Sequence, residues 1–291
     1  MTALPREKRA VRRRSRRFSG VPAVDSGKGS CVLPPGAEPP GEWIRESDTD
    51  SGEWKDSTSC RVPWGAPTGT RGASWYNAGM LKITEIFASL QGETSYSGYP
   101  FAFVRLTGCN LRCRYCDTAY AYDAGEEAPL EEVVSRVTAF GLTRVCVTGG
   151  EPLLQEEASA LVAALLDRGQ EVLVETNGTV PLSGLDPRAV KIMDVKCPSS
   201  GEDRKMLWEN FRHLTERDEV KFVISTPEDY RYAKEVTAWY RRERKWGFLL
   251  SPAFGLLAPE RLAGWMVGDG LDARLQLQLH KIVWGPDRRG V

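Results

Sequence analysis

The sequence predicts an α/β fold in which parallel strands and helices form an incomplete β/α barrel. Two observations lead to this prediction. From residue 80 onwards, short apolar runs alternate with stretches of helical length, the pattern of repeated strand–helix units. Residues 80–291 are also fewer than the ~250 residues that a complete eight-fold barrel takes. In such folds the chemistry lies at the carboxyl ends of the strands.

Each predicted element has its own signal. The strands are alternating or short apolar runs, and the second helix ends near Gly169, a residue type common at helix C-termini. Helices are predicted at residues 130–140, 153–167 and 227–242. Strands are predicted at residues 82–87, 101–106, 144–148, 171–175, 191–195, 220–224, 248–250 and 274–278.

The first 79 residues do not look like a folded domain. They contain 18 Gly or Pro residues and show no sustained period of 2 or 3.6. Such a segment buries too little apolar surface to offset its ordering entropy, so residues 1–79 are expected to be disordered. The basic run at residues 12–17 is either a nucleic-acid arm or targeting signal, or a disordered run without a role, and the second interpretation is preferred. A further hypothesis is that translation starts at Met80 and that residues 1–79 are a non-native extension.

Charge and composition exclude several classes of protein. Residues 80–291 hold 26 basic and 30 acidic residues, a balance without a nucleic-acid signature. No apolar run approaches the ~20 residues of a membrane-spanning helix, so a soluble protein without a membrane partner is expected. Seven cysteines, an odd number, with no signal peptide argue against a disulfide framework and indicate a reducing cytoplasm.

Three closely spaced cysteines are the most informative feature of the chain. Cys109, Cys113 and Cys116 form a C-x3-C-x2-C motif directly after the second predicted strand. Three thiolates at this spacing suit a [4Fe–4S] cluster, which normally takes four cysteine ligands, so one iron would remain open to a small molecule. A structural zinc site is the alternative, but it needs four ligands, and the other cysteines and histidines form no second paired motif. Cys146, in the middle of a strand, is interpreted as a buried apolar residue.

Polar segments follow other predicted strands, so they are expected at the same rim as the cysteines. They begin at Thr148, Glu175, Lys196 and Ser251. In the segment that begins at Thr148, two glycines let the backbone approach a ligand closely, and exposed backbone groups can hold an ammonium and a carboxylate. Arg105, near the end of the second strand, can pair with a carboxylate through two hydrogen bonds.

These motifs resemble those of the radical S-adenosylmethionine (SAM) enzymes, and more closely those of 7-carboxy-7-deazaguanine synthase. The similarity lies in residues 83–93, 108–118, 147–153 and 279–284, and it covers essentially all of residues 80–291 and none of residues 1–79. It is specific, because the run at residues 89–93 and the His-Lys pair at residues 280–281 are not general radical SAM features. The resemblance implies a partial β/α barrel of the radical SAM type, with residues 80–291 as its catalytic domain.

The family that the chain resembles converts 6-carboxy-5,6,7,8-tetrahydropterin to 7-carboxy-7-deazaguanine with loss of ammonia, in the biosynthesis of queuosine and other 7-deazapurines. The resemblance implies that an electron enters the cluster and cleaves SAM to a 5′-deoxyadenosyl radical, which takes a hydrogen from the pterin. The implied cofactors are a [4Fe–4S] cluster, SAM and Mg²⁺. The implied partners are a flavodoxin- or ferredoxin-type electron donor and a second copy of the chain in a homodimer.

The resemblance also implies roles for individual residues. The cluster ligands are Cys109, Cys113 and Cys116, and the Mg²⁺ ligand is Thr118. The expected SAM contacts are Tyr115, Cys116, Asp117, Gly150, Glu151, Lys196, Ser199, Ser251, Pro252, Ala253 and Phe254. The expected substrate contacts are Leu90, Gln91, Gly92, Glu93, Arg105, Thr148, His280 and Val291.

Two alternatives remain open from the sequence. One is another radical SAM enzyme, such as a glycyl-radical activase, which shares the cysteine motif but lacks the residue 91–93 segment and the Mg²⁺ threonine. The other is a zinc-dependent nucleic-acid-binding module that uses the basic N-terminal run as an arm. Metal analysis separates them, because one contains iron with sulfide and the other zinc alone.

A chain that starts at Met80 is predicted to keep its thermal stability and activity, because residues 1–79 lack a burial pattern. Thermal unfolding and turnover of the full-length and shortened proteins provide the comparison. A clear loss of either property would mean that the N-terminal segment folds or binds a ligand.

Overall fold

The computed structural model describes residues 79–241 and 247–291. The strands are β1 Met80–Leu90, β2 Pro100–Leu106, β3 Glu126–Pro129, β4 Arg144–Gly149, β5 Glu171–Thr176, β6 Val190–Asp194, β7 Glu219–Ile224, β8 Gly247–Pro252 and β9 Arg274–Leu275. The helices are α1 Leu130–Thr138, α2 Ala158–Asp167, α3 Pro227–Arg241, α4 Pro259–Asp269 and α5 Leu279–Trp284. In this part of the chain, nine strands form one sheet in the order β3-β1-β2-β4-β5-β6-β7-β8-β9.

The sheet is parallel except at its first strands. Each neighbouring pair from β2 to β9 is parallel, whereas β1 is antiparallel to both β2 and β3. No helix separates β1 from β2, so the chain turns back directly, which produces an antiparallel pair. Within the described residues β3 and β9 each pair on one side only, so the sheet is open. The predicted incomplete β/α barrel is confirmed, with an antiparallel entry that strand–helix alternation does not predict.

The two faces of the parallel strands carry different cores, because successive side chains of a strand point to opposite faces. On the outer face, strand valines such as Val104, Val145 and Val174 belong to a cluster that includes Val133 of α1 and Leu161 of α2. Burial of these residues stabilises the sheet against its helices.

The inner face is apolar near the amino ends of the strands and polar near their carboxyl ends. Its apolar part is formed by Phe101, Phe103, Cys146, Leu173, Val190 and Ile192. The next inward positions carry polar side chains, namely Arg105, Thr148, Glu175 and Asp194. This change of character along the strands produces a polar cavity above an apolar base.

The loop of residues 91–99 closes the amino end of this inner face. Because β1 is antiparallel, its last residue pairs with the first residue of β2. The Ser95 backbone N–H donates to Glu219 at the start of β7 (3.0 Å), and the Tyr96 hydroxyl donates to Glu171 at the start of β5 (2.5 Å). The loop therefore ties together strands that are not neighbours in the sheet.

The sequence patterns do not predict β3, α4 or α5. β3 is a short edge strand with two glutamates, held by backbone pairing with β1. α4 begins at Pro259 and is followed by Gly270 with φ 58°, and both are boundary signals that the sequence contains. The strand predicted at residues 274–278 is limited to Arg274–Leu275. The helix predicted at residues 153–167 begins only at Ala158, because the Gln155 side chain turns to β1 and bonds both backbone groups of Lys82.

The predictions for residues 1–78 and for residue 242 lie outside the described residues. They include the disordered segment, the basic run and most of the proposed non-native extension. Met80 is the first residue of β1. No helix of the described ranges is long and apolar enough to cross a membrane.

A buried ion pair anchors the outer side of β6. Asp218 accepts hydrogen bonds from the backbone N–H groups of Lys191 (2.7 Å) and Thr215 (2.6 Å), and its Oδ2 lies 3.1 Å from Lys191 Nζ. Both charged side chains are buried. The pair therefore fixes the connection that enters β7 against the start of β6.

Replacing Asp218 by Ala is predicted to lower the free energy of unfolding by about 3–5 kcal/mol, because the buried Lys191 ammonium loses its partner. Chemical denaturation measures the difference. Lys234→Ala is the control, since it removes an exposed ion-pair partner of Asp269 and should move the midpoint little. An Asp218→Ala protein as stable as its parent would contradict the prediction.

Candidate active site

A cavity of about 750 Å³ opens at the carboxyl ends of the parallel strands. It brings together nearly all the residues that the sequence singles out. Those that line it are Leu90, Gln91, Gly92, Glu93, Arg105, Cys109, Cys113, Tyr115, Cys116, Asp117, Thr118, Thr148, Gly150, Lys196, Ser251, Pro252, Ala253, Phe254, His280 and Val291. Two predicted SAM contacts, Glu151 and Ser199, do not line it.

The three cysteines follow β2 and face the cavity. Cys109, Cys113 and Cys116 are partly exposed, and none of them forms a disulfide. Burial raises the pKa of the Cys113 thiol to about 11. The other two cysteines of the described ranges, Cys146 and Cys197, are fully buried in the two cores, so the cavity offers three thiols.

This donor set fits a [4Fe–4S] cluster with one open iron better than a structural zinc site, which needs a fourth ligand. Among the described residues, no group of three His, Cys, Asp or Glu side chains is arranged as a metal site. The three thiols supply the right chemistry, and they would have to converge on the cluster as it binds.

Two glycines at the end of β4 allow close contact with the cysteine loop. A Cβ added at Gly150 would lie 2.4 Å from the Gly108 carbonyl oxygen and 2.6 Å from Cys109 Cβ. A Cβ at Gly149 would lie 2.4 Å from the Leu106 carbonyl oxygen. No other residue type fits at these positions without displacing backbone, so the β4 end and the cysteine loop form one surface.

Glu151 and Ser199 bond to the protein behind the cavity wall. Glu151 accepts hydrogen bonds from the Thr176 hydroxyl (3.0 Å) and the Asn177 backbone N–H (2.6 Å). Burial raises the pKa of Glu151 to about 7. Ser199 donates from its hydroxyl to the buried carboxylate of Asp229 (2.5 Å). Their placement indicates supporting roles for both side chains.

A chain of alternating charges crosses the wall formed by β6 and β7. Lys196 Nζ lies 3.0 Å from Asp194 Oδ2, and Lys221 Nζ lies between Asp194 (3.7 Å) and the Glu93 carboxylate, to which it donates. Burial alone would raise the pKa of Glu93, but the Lys221 ammonium outweighs it and lowers that pKa. Asp194 Oδ1 is buried and has no hydrogen-bond partner within the described residues. Asp194 itself lines the cavity.

Arg105 is held by a carboxylate on the neighbouring strand. Its Nε donates to Glu85 Oε1 (2.7 Å), and the same oxygen accepts from the Tyr120 hydroxyl (2.8 Å). The Arg105 side chain is only 16% exposed. Because the bond to Glu85 uses Nε, the two Nη atoms of the guanidinium remain for a second carboxylate in the cavity.

Glu175, at the end of β5, links the loop of residues 91–99 to β4. Its carboxylate accepts from the Gln91 side-chain amide (3.3 Å) and from the Thr148 hydroxyl (3.0 Å). The backbone N–H of Gln91 donates to Tyr99 and is therefore used within the loop. Residues 91–93 reach the cavity from the amino ends of the parallel strands. The general expectation for such folds places functional polar segments only at the carboxyl ends of the strands.

The predicted Mg²⁺ ligand lies beside a carboxylate. The Thr118 hydroxyl donates to Asp117 Oδ1 (3.1 Å), and Asp117 Oδ2 accepts from Lys281 Nζ (2.6 Å). Both Thr118 and Asp117 line the cavity. Oxygen donors of this type are what Mg²⁺ prefers, although they make no preformed ion site.

The helix α5 and the residues after it close the cavity on one side. A Cβ at Gly92 would lie 1.9 Å from His280 Nδ1, so this glycine lets the His280 ring lie against the backbone. Burial lowers the pKa of His280, which favours the neutral imidazole at pH 7. Further along, the Arg289 guanidinium lies 4.1 Å from the centre of the Tyr120 ring, and Val291 lines the cavity.

Comparison with known proteins identifies the family. Residues 103–194 match the Radical SAM superfamily. The chain is 47% identical over 214 residues to the 7-carboxy-7-deazaguanine synthase of Chlorobaculum tepidum, an alignment that covers 72% of this chain and 97% of that protein. The chain belongs to the 7-carboxy-7-deazaguanine synthase family. The 7-carboxy-7-deazaguanine synthase of Koribacter versatilis is 44% identical, with 72% of this chain and 100% of that protein covered.

The fold agrees with membership of the 7-carboxy-7-deazaguanine synthase family. The chain superposes on the crystal structure of QueE from Escherichia coli with a TM-score of 0.59 at 22% identity, covering 69% of this chain and 95% of that chain. The family resemblance predicted from the sequence is thus confirmed. The glycyl-radical activase alternative is not favoured, and neither is a zinc-dependent nucleic-acid module.

The sequence predictions assign no individual role to several polar residues of this 7-carboxy-7-deazaguanine synthase family site, although Glu175 begins one of the polar segments expected at this rim and Lys281 lies in the similar run at residues 279–284. They are Glu175, Asn177, Asp194, Lys221, Gln278 and Lys281, and all line the cavity. The signal for three of them lies in strand alternation. Glu175 and Asp194 lie two positions after the inner apolar residues Leu173 and Ile192, and Lys221 lies two positions before Val223, which also lines the cavity.

Proposed function

We propose that this protein converts 6-carboxy-5,6,7,8-tetrahydropterin to 7-carboxy-7-deazaguanine with loss of ammonia, a step in the biosynthesis of queuosine and other 7-deazapurines. One observation supports this most. Three thiols, Arg105 and residues 91–93 meet in one cavity of a chain that is 47% identical to a 7-carboxy-7-deazaguanine synthase. A cavity of about 750 Å³ has room for SAM and a pterin together.

Cys109, Cys113 and Cys116 would hold the [4Fe–4S] cluster, and Gly150, Lys196 and residues 251–254 would hold SAM. When bound, these cofactors supply a 5′-deoxyadenosyl radical, which removes a hydrogen from the substrate. The protein places the two reactants. Asp194 Oδ1, which has no partner within the described residues, can accept a hydrogen bond from an ammonium or hydroxyl group of the bound molecule.

The substrate carboxylate would pair with the Nη atoms of Arg105, whose Nε is fixed by Glu85. The amide and hydroxyl groups around Glu175 offer donors and acceptors to the pterin ring. Neutral His280 can donate from one ring nitrogen and accept at the other. Residues 91–93 and the residues that follow α5 line the same cavity and would shield bound substrate from water.

Four finer features belong to the same proposal. Mg²⁺ would bind Thr118 together with substrate oxygens, and the neighbouring Asp117 carboxylate favours a cation there. The electron donor would be a flavodoxin- or ferredoxin-type protein, and the enzyme would act as a homodimer, both by family resemblance. A cytoplasmic location suits thiols that must stay reduced.

An anaerobic assay tests the function. The reconstituted protein receives SAM, Mg²⁺, a reductant and 6-carboxy-5,6,7,8-tetrahydropterin, and 7-carboxy-7-deazaguanine is measured. Ala variants of Cys109, Cys113 or Cys116 should fold but lose SAM cleavage. Absence of product from a fully loaded parent protein, or a full cluster with turnover in a cysteine variant, would reject the assignment.

Arg105→Ala is predicted to weaken substrate binding by about 2–5 kcal/mol, because a buried charged contact is lost. Arg105→Lys should also weaken it, since an ammonium cannot reproduce the planar fork. Substrate affinity and turnover are measured, with substrate-independent SAM cleavage expected to persist.

Arg144→Lys is the control for Arg105, because Arg144 pairs with Glu171 at the amino end of the sheet and does not line the cavity. It should bind the pterin like the parent. If both Arg105 variants also bind it normally, Arg105 has a structural role only.

Thr118→Val is predicted to lower turnover and to blunt its dependence on Mg²⁺ while the cluster stays intact, because valine keeps the shape and removes the hydroxyl. Turnover is titrated with Mg²⁺, and iron content is measured alongside. Thr84→Val, outside the cavity, is the control. An unchanged Mg²⁺ response in Thr118→Val would argue against this site.

A further inference from the structure

The Asn177 side chain lies against one of the three cysteines. Asn177 follows β5, is only 5% exposed, and places its Nδ2 3.9 Å from Cys109 Sγ. The backbone N–H of Leu111 donates to the same sulfur at 3.4 Å. Two N–H groups are therefore directed at Cys109. One belongs to Leu111 in the cysteine loop, and the other belongs to Asn177 at the end of β5.

The neighbours of Asn177 decide which way its amide points. Asn177 Oδ1 accepts from the backbone N–H of Thr179 (3.0 Å) and from the Thr179 hydroxyl (2.7 Å). A backbone N–H can only donate, so the atom that faces it must be oxygen. The Nδ2 group consequently faces the sulfur.

Asn110 completes this arrangement. Asn177 Nδ2 donates to Asn110 Oδ1 (3.1 Å), and Asn110 Nδ2 donates to the Thr179 hydroxyl (2.7 Å). Every polar group of the Asn177 side chain thus has a partner, and a flipped amide would oppose nitrogen to an N–H and oxygen to oxygen. The second hydrogen of Nδ2 is left for Cys109.

The backbone of Asn177 is held as firmly as its side chain. Its N–H donates to Glu151 Oε2 at 2.6 Å, and the Thr176 hydroxyl donates to the same carboxylate at 3.0 Å. The preceding Gly150 packs against Cys109 Cβ. Glu151, which does not line the cavity, thereby fixes Asn177 relative to the cysteine loop.

We propose that Asn177 is a positioning residue that tunes the cluster, donating a hydrogen bond to the Cys109 thiolate and raising the reduction potential of the bound [4Fe–4S] cluster. The inference rests on the proposed function for the cluster itself. A reduced cluster carries one more negative charge than an oxidised one, so a donor at a ligand sulfur stabilises the reduced form more. Hydrogen bonds to the sulfurs, and other contacts of the protein with the cluster ligands, change the reduction potential of such clusters.

An anaerobic redox titration of the reconstituted full-length protein tests the proposal without substrate. Dithionite supplies one electron per cluster, and the reduced cluster is counted by electron paramagnetic resonance. In Asn177→Ala, the ratio of reduced to oxidised cluster at a fixed potential should fall about tenfold, which for a one-electron couple is a potential lower by about 59 mV. Asn177→Asp keeps the shape of the side chain and an oxygen towards Thr179, but it places an acceptor against the sulfur. The ratio of reduced to oxidised cluster should therefore fall at least as far as in Asn177→Ala.

Asn210→Ala is the matched control. Asn210 is also buried, and its Nδ2 supports the same loop by donating to the carbonyl oxygens of Gly178 (3.0 Å) and Val180 (2.9 Å). The side-chain hydrogen bonds of Asn210 go to Leu182, Gly178 and Val180 rather than to a cysteine, so its loss should leave the potential of the cluster unchanged.

Three results would overturn the proposal. They are an unchanged potential in both position-177 variants, an equal shift in Asn210→Ala, or loss of the cluster in both position-177 variants while Asn210→Ala retains it. The last would make Asn177 a structural support only. If the position-177 variants show the expected shifts but the parent protein forms no 7-carboxy-7-deazaguanine, the proposed reaction is rejected and this inference stands.

Discussion

The close approach of Gly149 and Gly150 to residues 106–109 is the contact on which the site depends. The parallel pairing of β2 with β4 sets Leu106 opposite Gly149, and the missing side chains allow backbone to touch backbone. The cysteine loop is thereby located by the sheet, although loops commonly move more than the elements that they connect. The next strand end, at Glu175, completes the wall. Three consecutive parallel strand ends therefore hold the thiols, a close-packed backbone and a polar pocket in one arrangement.

Charge pairing makes such a polar cavity compatible with a stable fold. Its buried cations face carboxylates, as Arg105 does with Glu85 and Lys196 with Asp194. An unpaired charge in this setting would cost several kcal/mol. The groups that these pairs leave unused include the Nη atoms of Arg105, whose bond to Glu85 is made by Nε, and Oδ1 of Asp194. A ligand that places an anion at the Arg105 Nη atoms and a hydrogen-bond donor at Asp194 Oδ1 would complement both groups. Selectivity for the ligand would then arise from the groups that the internal ion pairs do not use.

Local patterns predict the parts of this molecule that depend on local causes. Alternating and apolar runs predict the central strands, and the cysteine spacing predicts the chemistry, because both are properties of a few neighbouring residues. The antiparallel entry of β1 follows from a connection without a helix, which strand–helix counting does not weigh. Pairs such as Lys221 with Glu93, 128 residues apart, depend on tertiary placement that no periodicity encodes. The orientation of the Asn177 amide is likewise set by residues that meet only in the folded chain.

The loop of residues 91–99 has a consequence for the order in which the molecule can assemble. Its bonds to Glu171 and Glu219 span 75 and 124 residues of chain, so they are among the least local contacts of the fold. During synthesis the loop leaves the ribosome long before β7 exists, so its bond to Glu219 can form only after its bond to Glu171 of β5 has become possible. Contacts of such separation are entropically expensive to form early. The base of the cavity is therefore completed late, when the start of β7 meets the loop of residues 91–99.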